Sequence, residues 1–383
     1  MTPLEELTQA PLLPTYARHD VTFVHGQGCW LLADDGRRYL DFAAGVAVIG
    51  LGHGHPAVVA AAHSQIDLLW HASNLYWTKP MAQLAERLSA RYGGAQAFFC
   101  NSGAEAIEAA VKYARKATGK PGIVALEGSF HGRTLGALSA TGQPAKRAAF
   151  EPLVPGVSFA RLNDVESLEA AVQPTGSTGM ILIEPVQGEG GVHPAEPSFL
   201  AAAAEIAEEI GALLAFDEIQ TGVGRTGTFF AFEQAGVRPD LVTLAKGLAN
   251  GLPIGCLLVA DEAAGAFVPG DHASTFGGNP VACAAACAVV DAITDELLAD
   301  VQASGKRLLA GLAALPGVVE ARGPGLLAAA ELDRPAAPVV ARALEAGLLL
   351  TSAGDKVLRL TPPLVVSAEE IDRALEILGE VLR

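Results

Sequence analysis

Lys246 stands at the end of an apolar run, Leu241-Val-Thr-Leu-Ala245, and is followed by Gly247. An ammonium at the end of a buried strand loses hydration, which disfavours the charged form and lowers its pKa. A neutral lysine amine is a nucleophile whose common use is a Schiff base with a carbonyl compound. The competing reading has its four-carbon stem carry the charge out to water.

Other candidate groups sit at similar strand ends. Leu213-Leu-Ala-Phe-Asp217-Glu-Ile-Gln220 places a carboxylate where open α/β sheets bind ligands. A buried Asp217 needs a cationic partner or a satisfied loop; a protonated pyridine nitrogen, as in pyridoxal phosphate, is one such cation. Asn101-Ser-Gly-Ala-Glu105 lies between a predicted strand and a predicted helix, where free amides and the helix dipole favour a phosphate. Ser102 and Glu105 also fit a capping box there. Ser129-Phe-His-Gly-Arg133 sets an aromatic face beside a guanidinium suited to carboxylates. Glu184, Glu189 and Arg359 are further charges beside apolar or glycine-rich stretches. Gly222 to Gly227 matches the dinucleotide pattern G-x-G-x-x-G, but Thr228, Phe229 and Phe230 follow with strand-like character rather than a helix.

The elements that must hold these groups follow from periodicity. Asp34-Asp-Gly36 predicts a hairpin turn in a small antiparallel element between Val21 and Leu40. Prolines near the start predict helices over Pro56 to Trp70 and Pro80 to Arg91. Apolar runs at 97–100, 122–126, 180–184, 212–216, 241–245 and 254–260, separated by helical stretches, predict a mostly parallel sheet covered on both faces. Between the first two runs, Ala104, Ile107, Val111 and Ala114 form a helical stripe, with Glu108 and Lys112 as a solvent-side pair. Asn279-Pro280 opens an alanine-rich helix. Strands around 323–332 and 357–361 and a capped helix over Ala368 to Leu382 predict a smaller α+β unit.

The fold class expected is therefore α/β, with a large mostly parallel-sheet domain over 56–296, a small α+β domain over 297–383, and an N-terminal segment, 1–55, contributing to the latter. A chain of 383 residues, half of them hydrophobic, supports that division. A net charge of −16 argues against nucleic acid or an anionic membrane as the main partner. The start, Met1-Thr-Pro-Leu-Glu-Glu, lacks the features of a signal peptide, and no run reaches membrane-spanning length, so a cytoplasmic protein is expected. Five cysteines without a Cys-x-x-Cys pair suggest buried thiols. His53-Gly-His55 reads as a tight connection rather than a metal site, and no metal is expected.

The conjunction is more specific than its parts. Asn101-Ser-Gly-Ala-Glu-Ala, Phe130-His-Gly-Arg-Thr, Glu184-Pro-Val-Gln-Gly-Glu-Gly-Gly, Phe216-Asp-Glu-Ile-Gln-Thr-Gly-Val-Gly-Arg-Thr-Gly, Ala245-Lys-Gly and Ser274-Thr-Phe-Gly-Gly-Asn-Pro occur in this order. Together they resemble the class III aminotransferases of the pyridoxal-phosphate fold type I superfamily, within them the acetylornithine aminotransferase branch, over essentially the whole chain. Phe276, where tyrosine is also frequent, and Asn250, in a usually more glycine-rich turn, depart from the pattern.

The resemblance implies pyridoxal 5'-phosphate as cofactor, carried on Lys246, which would also move the proton. Asp217 would bind the pyridinium and Gln220 the ring hydroxyl. Phe130 would stack on the ring, and Ser102, Gly103 and Ala104 would hold the phosphate. Thr275 would reach the phosphate of the neighbouring subunit and Ser274 would lie near the substrate, implying a homodimer with shared sites. Arg133 would hold the distant carboxylate of the donor, while Glu189 would pair with Arg359 until glutamate needs that arginine. The implied reaction moves the terminal amine of N-acetylornithine to 2-oxoglutarate, in arginine biosynthesis. Alternatives are an ω-aminotransferase for another acylated or carrier-linked diamine, free ornithine or 4-aminobutyrate; a non-catalytic cofactor-binding protein; and a nicotinamide dehydrogenase built on Gly222 to Gly227.

Overall fold

The computed structural model describes residues 10–172 and 177–383; the start of the chain, read above for a leader, lies outside the described residues. Three short antiparallel strands, β1 (Phe23–Gln27), β2 (Trp30–Ala33) and β3 (Arg38–Asp41), open it, with Gly36 (φ +84°) in the turn between β2 and β3. A left-handed residue there is what the Asp-Asp-Gly sequence predicts.

The central sheet is built from β4 (Ala95–Cys100), β5 (Gly122–Leu126), β6 (Val157–Ala160), β7 (Thr178–Ile183), β10 (Leu213–Asp217), β11 (Leu241–Leu244) and β12 (Gly255–Ala260). The two-residue strands β8 (Val186–Gln187) and β9 (His193–Pro194) form a separate hairpin. In space the order is β4-β12-β11-β10-β7-β5-β6. All neighbours are parallel except β12, which runs antiparallel to both β11 and β4. β5, β7, β11 and β12 are buried along their whole length, which is why they read as continuous apolar runs rather than alternating ones.

Helices cover this sheet and, toward the end of the chain, pack against the later strands. In chain order they include α1 (Pro56–Ile66), α2 (Lys79–Tyr92), α3 (Gly103–Thr118), α4 (Val165–Val172), α5 (Pro197–Ile210), α6 (Pro280–Ala292), α7 (Asp295–Ala313), α8 (Ala336–Glu345) and α9 (Ala368–Leu382). α3 buries Ile107, Val111 and Ala114 as its period demands and ends at Gly119 (φ +69°). Asn279 caps α6, its side chain accepting from the Ala282 amide at 2.9 Å, and α6 packs on α1, α2 and the turn that carries Lys246. α9 has the capping box expected from Ser367 and Glu370.

A second sheet, β13 (Val318–Arg322), β14 (Ala328–Leu332), β16 (Thr351–Ser352) and β17 (Val357–Leu360), is antiparallel. β15 (Leu348–Leu349) instead pairs in parallel with β3, and the Thr361 amide donates to Phe42 O at 2.7 Å, so the N-terminal strands are hydrogen-bonded to residues near the other end of the chain.

Several expectations need correction. α1 stops at Ile66, four residues short of Trp70, because Leu68 and Trp70 are exposed and have no core face to extend. Gly323 lies in the loop between two strands, β13 and β14, where one region was expected. Thr228 to Phe230 form no strand; Phe229 and Phe230 are buried in a turn packed edge to face. Glu108 and Lys112 do not pair. Glu108 accepts from Thr134 Oγ1 (2.7 Å) and the Gly136 amide (3.0 Å) at the start of the short helix Leu135–Ser139, whereas Lys112 donates to Asp271 O (2.7 Å). A carboxylate at free helix-start amides outcompetes an exposed pair worth about 0.5 kcal/mol. The five cysteines are buried and unpaired, as their spacing suggests.

Candidate active site at the carboxyl edge of the central sheet

Five parallel connections leave the central sheet at one edge, and they carry the chemistry. Asn101 to Ala104 follow β4, Phe130 to Arg133 follow β5, Glu184 follows β7, Asp217 to Gln220 end β10, and Ala245 and Lys246 follow β11. Because β12 runs the other way, the residues that precede it, Gly251 to Ile254, arrive at the same edge. Together they line a cavity of about 420 Å³. Ser102, Gly103, Ala104, Phe130, Arg133, Glu184, Asp217, Gln220 and Lys246, all singled out in the sequence, are in its wall.

Lys246 adopts φ +43°, a left-handed conformation that costs a non-glycine residue about 1–2 kcal/mol. Strain of this kind is retained where it aims a functional group. The side chain keeps some accessible surface because it faces the cavity, while protein closes round the rest. Burial lowers its pKa first and the Arg359 guanidinium lowers it further, against the opposing pull of Glu189, Asp217 and Glu184. The strand-end lysine therefore points inward instead of carrying its charge to water.

Asp217 is buried, and its Oδ1 accepts from the Ile219 amide (3.1 Å) and Thr243 Oγ1 (3.2 Å). Its Oδ2 lies 2.7 Å from His131 Nδ1. Among the described residues His131 Nε2 is buried without a hydrogen-bond partner. Sequence reasoning took only the aromatic and the guanidinium from Ser129 to Arg133 and missed this histidine, although it lay inside the motif. Glu184 holds the same loop by accepting from the Phe130 amide (2.9 Å), and from Gly188 (3.2 Å); burial pushes its carboxyl up to about 7.

At the start of α3, Ser102 Oγ accepts from the Glu105 amide (3.3 Å), and Glu105 accepts from the Asn101 amide (2.6 Å). Ser102 therefore caps the helix as read, but Glu105 reaches back to the Asn101 amide rather than to that of Ser102, so the reciprocal box is not closed. Among the described residues Gly103 and Ala104 have no hydrogen bond on their amides. Two free amides at a helix start are a ready anion site. Gly132 (φ +138°) brings the Phe130 loop against this turn; a Cβ there would meet Ala104 Cβ at 2.8 Å.

Glu189 and Arg359 form an ion pair at 2.5 Å just beyond the cavity wall, and Arg359 Nη1 also donates to Gln220 Oε1 (3.2 Å). Burial alone would raise Glu189, but Arg359, with Lys246 and Lys146, holds its carboxyl below the ordinary value. Gln220 Oε1 is occupied by Arg359, while its Nε2 makes no hydrogen bond among the described residues and remains for an acceptor in the cavity. Arg133 is exposed at the mouth, its guanidinium 5.7 Å from the Phe130 ring centre.

Ser274 and Thr275 are not in the wall. Ser274 Oγ accepts from Asn101 Nδ2 and from the Gly277 amide, both at 3.1 Å, and so braces the loop rather than facing the cavity. Thr275 and Phe276 are exposed. Gly222 to Gly227 forms no helix start; its Arg225 is buried and donates to Leu326 O (2.9 Å) and Pro362 O (2.5 Å), which fastens the loop to the C-terminal part of the chain.

A lysine amine, a buried carboxylate, an aromatic wall and free helix-start amides around one cavity suit a phosphorylated heteroaromatic aldehyde. The comparisons agree. Residues 15–382 match the family model described as aminotransferase class-III, and the chain belongs to that family. It is a transaminase. An acetylornithine aminotransferase from Gloeobacter violaceus is 49% identical, over 99% of this chain and 97% of the relative. The solved N-acetylornithine aminotransferase of Stenotrophomonas maltophilia is 38% identical with a TM-score of 0.83, covering 96% of each chain. An ornithine aminotransferase from Toxoplasma gondii, whose structure shows partial occupancy of PLP at its active site, is 31% identical with a TM-score of 0.93, covering 99% of this chain and 93% of its own.

Proposed function

We propose that this transaminase transfers the terminal amine of N-acetylornithine to 2-oxoglutarate, giving N-acetylglutamate 5-semialdehyde and glutamate, with pyridoxal 5'-phosphate as cofactor. The observation that carries the cofactor assignment is the convergence of Lys246, Asp217, Phe130 and the free amides of Gly103 and Ala104 on one cavity. The acetylornithine aminotransferases, at 45–49% identity over nearly the full chain, support the substrate. When bound, pyridoxal phosphate supplies the carbonyl that a primary amine attacks and a ring that takes up the electron pair released at the substrate carbon.

The chain's own residues do the rest. The Gly103 and Ala104 amides, with Ser102 beside them, hold the phosphate. Asp217 sets a negative charge at the ring nitrogen, with His131 fixing the carboxylate from behind. Gln220 Nε2 donates to the ring oxygen and Phe130 supports the ring face. Lys246 Nζ, held toward its neutral form, would hold the cofactor through its carbonyl carbon and, once the substrate amine has displaced it, would be the free amine placed to take the proton from the amine-bearing carbon. Arg133 receives the distant carboxylate of the acylated donor. Arg359 receives the carboxylate of glutamate once Glu189 releases it.

A homodimer with shared sites fits the surface. Leu75, Tyr76 and Trp77 are 83%, 68% and 89% exposed, an apolar run that a second copy would cover. Asn74, next to them, donates to Ser274 O and Gly277 O at 2.9 Å, so this run and Thr275 share one face. Thr275 would then act on the neighbouring subunit's phosphate and Ser274 would border its substrate. The same reading divides the chain into 1–55, 56–296 and 297–383, supported by the β3–β15 pairing, and places it in the cytoplasm; among the described residues no helix is long and apolar enough to cross a membrane.

The test is the visible spectrum of the cofactor-loaded protein before and after N-acetylornithine, free ornithine or 4-aminobutyrate, without a keto acid. Conversion to the amine form of the cofactor by N-acetylornithine at the highest kcat/KM is expected. Faster conversion by another donor overturns the substrate, and failure to convert with any donor overturns the activity.

A further inference from the structure

Lys146 is a cation of the site that neither motif nor pair accounts for. It lies in the short helix Pro144–Arg147, its ammonium 4.6 Å from the Phe130 ring centre, on the ring whose neighbourhood also holds Arg133. A cation over an aromatic face gains about 0.5–2 kcal/mol and stays free to exchange partners. Among the described residues no carboxylate lies within ion-pair distance of it. Lys146 and Glu189 line one further cavity of about 430 Å³, together with Gln143 and the Ser352 to Gly354 turn.

This arrangement bears on a step that the two-substrate reading requires. Glu189 is bonded to Arg359 at 2.5 Å, and a substrate carboxylate can take that guanidinium only if Glu189 leaves. A half-buried carboxylate that loses its cation keeps a desolvation cost unless another cation receives it. The cavity beside Glu189 gives it room to rotate, and Lys146 is the cation bordering that room. The charges already sense one another: burial lowers the Lys146 pKa, and Glu189 is the largest of the charges that oppose it.

We propose that Lys146 is the alternate partner of Glu189, receiving its carboxylate when a dicarboxylate substrate occupies Arg359. Lys146 is thus a positioning residue that acts through Glu189, and it favours the half-reaction of glutamate and 2-oxoglutarate over that of the acylated donor. The inference rests on the two-substrate reading above.

The experiment measures the two half-reactions separately in cofactor-loaded parent, Lys146→Met, Lys146→Arg, Glu189→Gln and Arg359→Lys, together with calorimetric binding of glutarate, a dicarboxylate with no amine to transfer. Lys146→Met is expected to lower kcat/KM for glutamate about fivefold, the scale of one half-exposed charge pair, through KM. It should weaken glutarate to a similar extent, leave N-acetylornithine nearly unchanged, and be rescued by Lys146→Arg. In Glu189→Gln, which needs no alternate partner, adding Lys146→Met should have no further effect on glutamate. Equal losses in both half-reactions, no loss in either, or additive effects with Glu189→Gln would overturn the role of Lys146 and show that Glu189 turns to solvent instead. A different result, Arg359→Lys leaving glutamate and glutarate untouched, would overturn the two-substrate reading itself.

Discussion

Asn250, four residues after Lys246, has a role in the structure that can be measured. It adopts φ +49° and ends the turn Lys246–Ala249. Its Oδ1 accepts from the Leu51 amide at 2.8 Å and its Nδ2 donates to Gly52 O at 3.0 Å, 199 and 198 residues away. The turn that carries Lys246 is thereby tied to the N-terminal segment, which sends Val48 into the cavity wall. Asparagine is among the few residues that combine tolerance of the left-handed region with an amide able to bond backbone in both directions.

Asn250→Gly keeps the backbone conformation and loses two hydrogen bonds, about 1–3 kcal/mol in total. Asn250→Ala loses the same bonds and adds a left-handed cost of about 1–2 kcal/mol. Alanine recovers about 0.4–1 kcal/mol of that by restricting the unfolded chain. The alanine variant should therefore be less stable than the glycine variant by about 1 kcal/mol. Urea midpoints at fixed protein and cofactor concentration measure the gap, since both concentrations shift apparent stability. An alanine variant as stable as the glycine variant, or both within about 0.5 kcal/mol of the parent, would refute the reasoning.

Two other outcomes are open to direct measurement. Glu218, beside Asp217 but turned away from the cavity, accepts from Thr221 Oγ1 and the Phe232 amide, and burial raises it from 4.5 to about 7. Between those values the folded chain binds a proton that the unfolded chain does not, so its stabilising contribution is present below about pH 4.5 and is lost as pH rises through about 7. Glu218→Gln, which resembles the protonated acid, should be more stable relative to the parent at pH 8 than at pH 5, by a few kcal/mol at most; an unchanged difference would remove Glu218 from the pH dependence. Shared sites predict complementation. Lys246→Ala should bind cofactor without turning over, and Thr275→Ala should bind it weakly. A tag-selected mixed dimer of the two then contains one site with Lys246 and an intact Thr275 from across the interface, with turnover near one parental site per dimer. Turnover no better than half that of the Thr275→Ala dimer would place Thr275 in its own subunit's site.

The sheet was legible wherever strands are buried on both faces. Leu241–Leu244 and Gly255–Ala260 read as uninterrupted apolar runs because their neighbours and the covering helices leave no wet face. The edge strand β6, Val-Ser-Phe-Ala, escaped because it has one neighbour in the sheet and a serine in its middle. Helix starts were clearer than helix ends: Pro56, Pro280 and Ser367 each fix a local geometry, whereas the apolar Leu68, Leu69 and Trp70 extended α1 on paper with residues that are exposed here. Local charge rules failed at Glu108, since helix-start amides 28 residues on in the chain offered more than a lysine one turn away.

For the site, the sequence signals had different physical origins. Lys246 and Asp217 announced themselves as charges ending apolar runs, an anomaly that needs no knowledge of the fold. Ser102 gave a double signal, because the capping bond it makes with Glu105 is also what leaves the next two amides free for an anion. His131 gave none: its importance lies in a 2.7 Å contact with a residue 86 positions away, brought together only because β5 and β10 end at one edge of the sheet. Lys146 was equally silent, one more exposed-looking cation in the stretch Gln143 to Arg147, until the fold set it over Phe130 and beside a cavity that Glu189 also lines. Groups that act through burial can be read from their neighbours in sequence, whereas groups that act through another side chain become visible only with the topology.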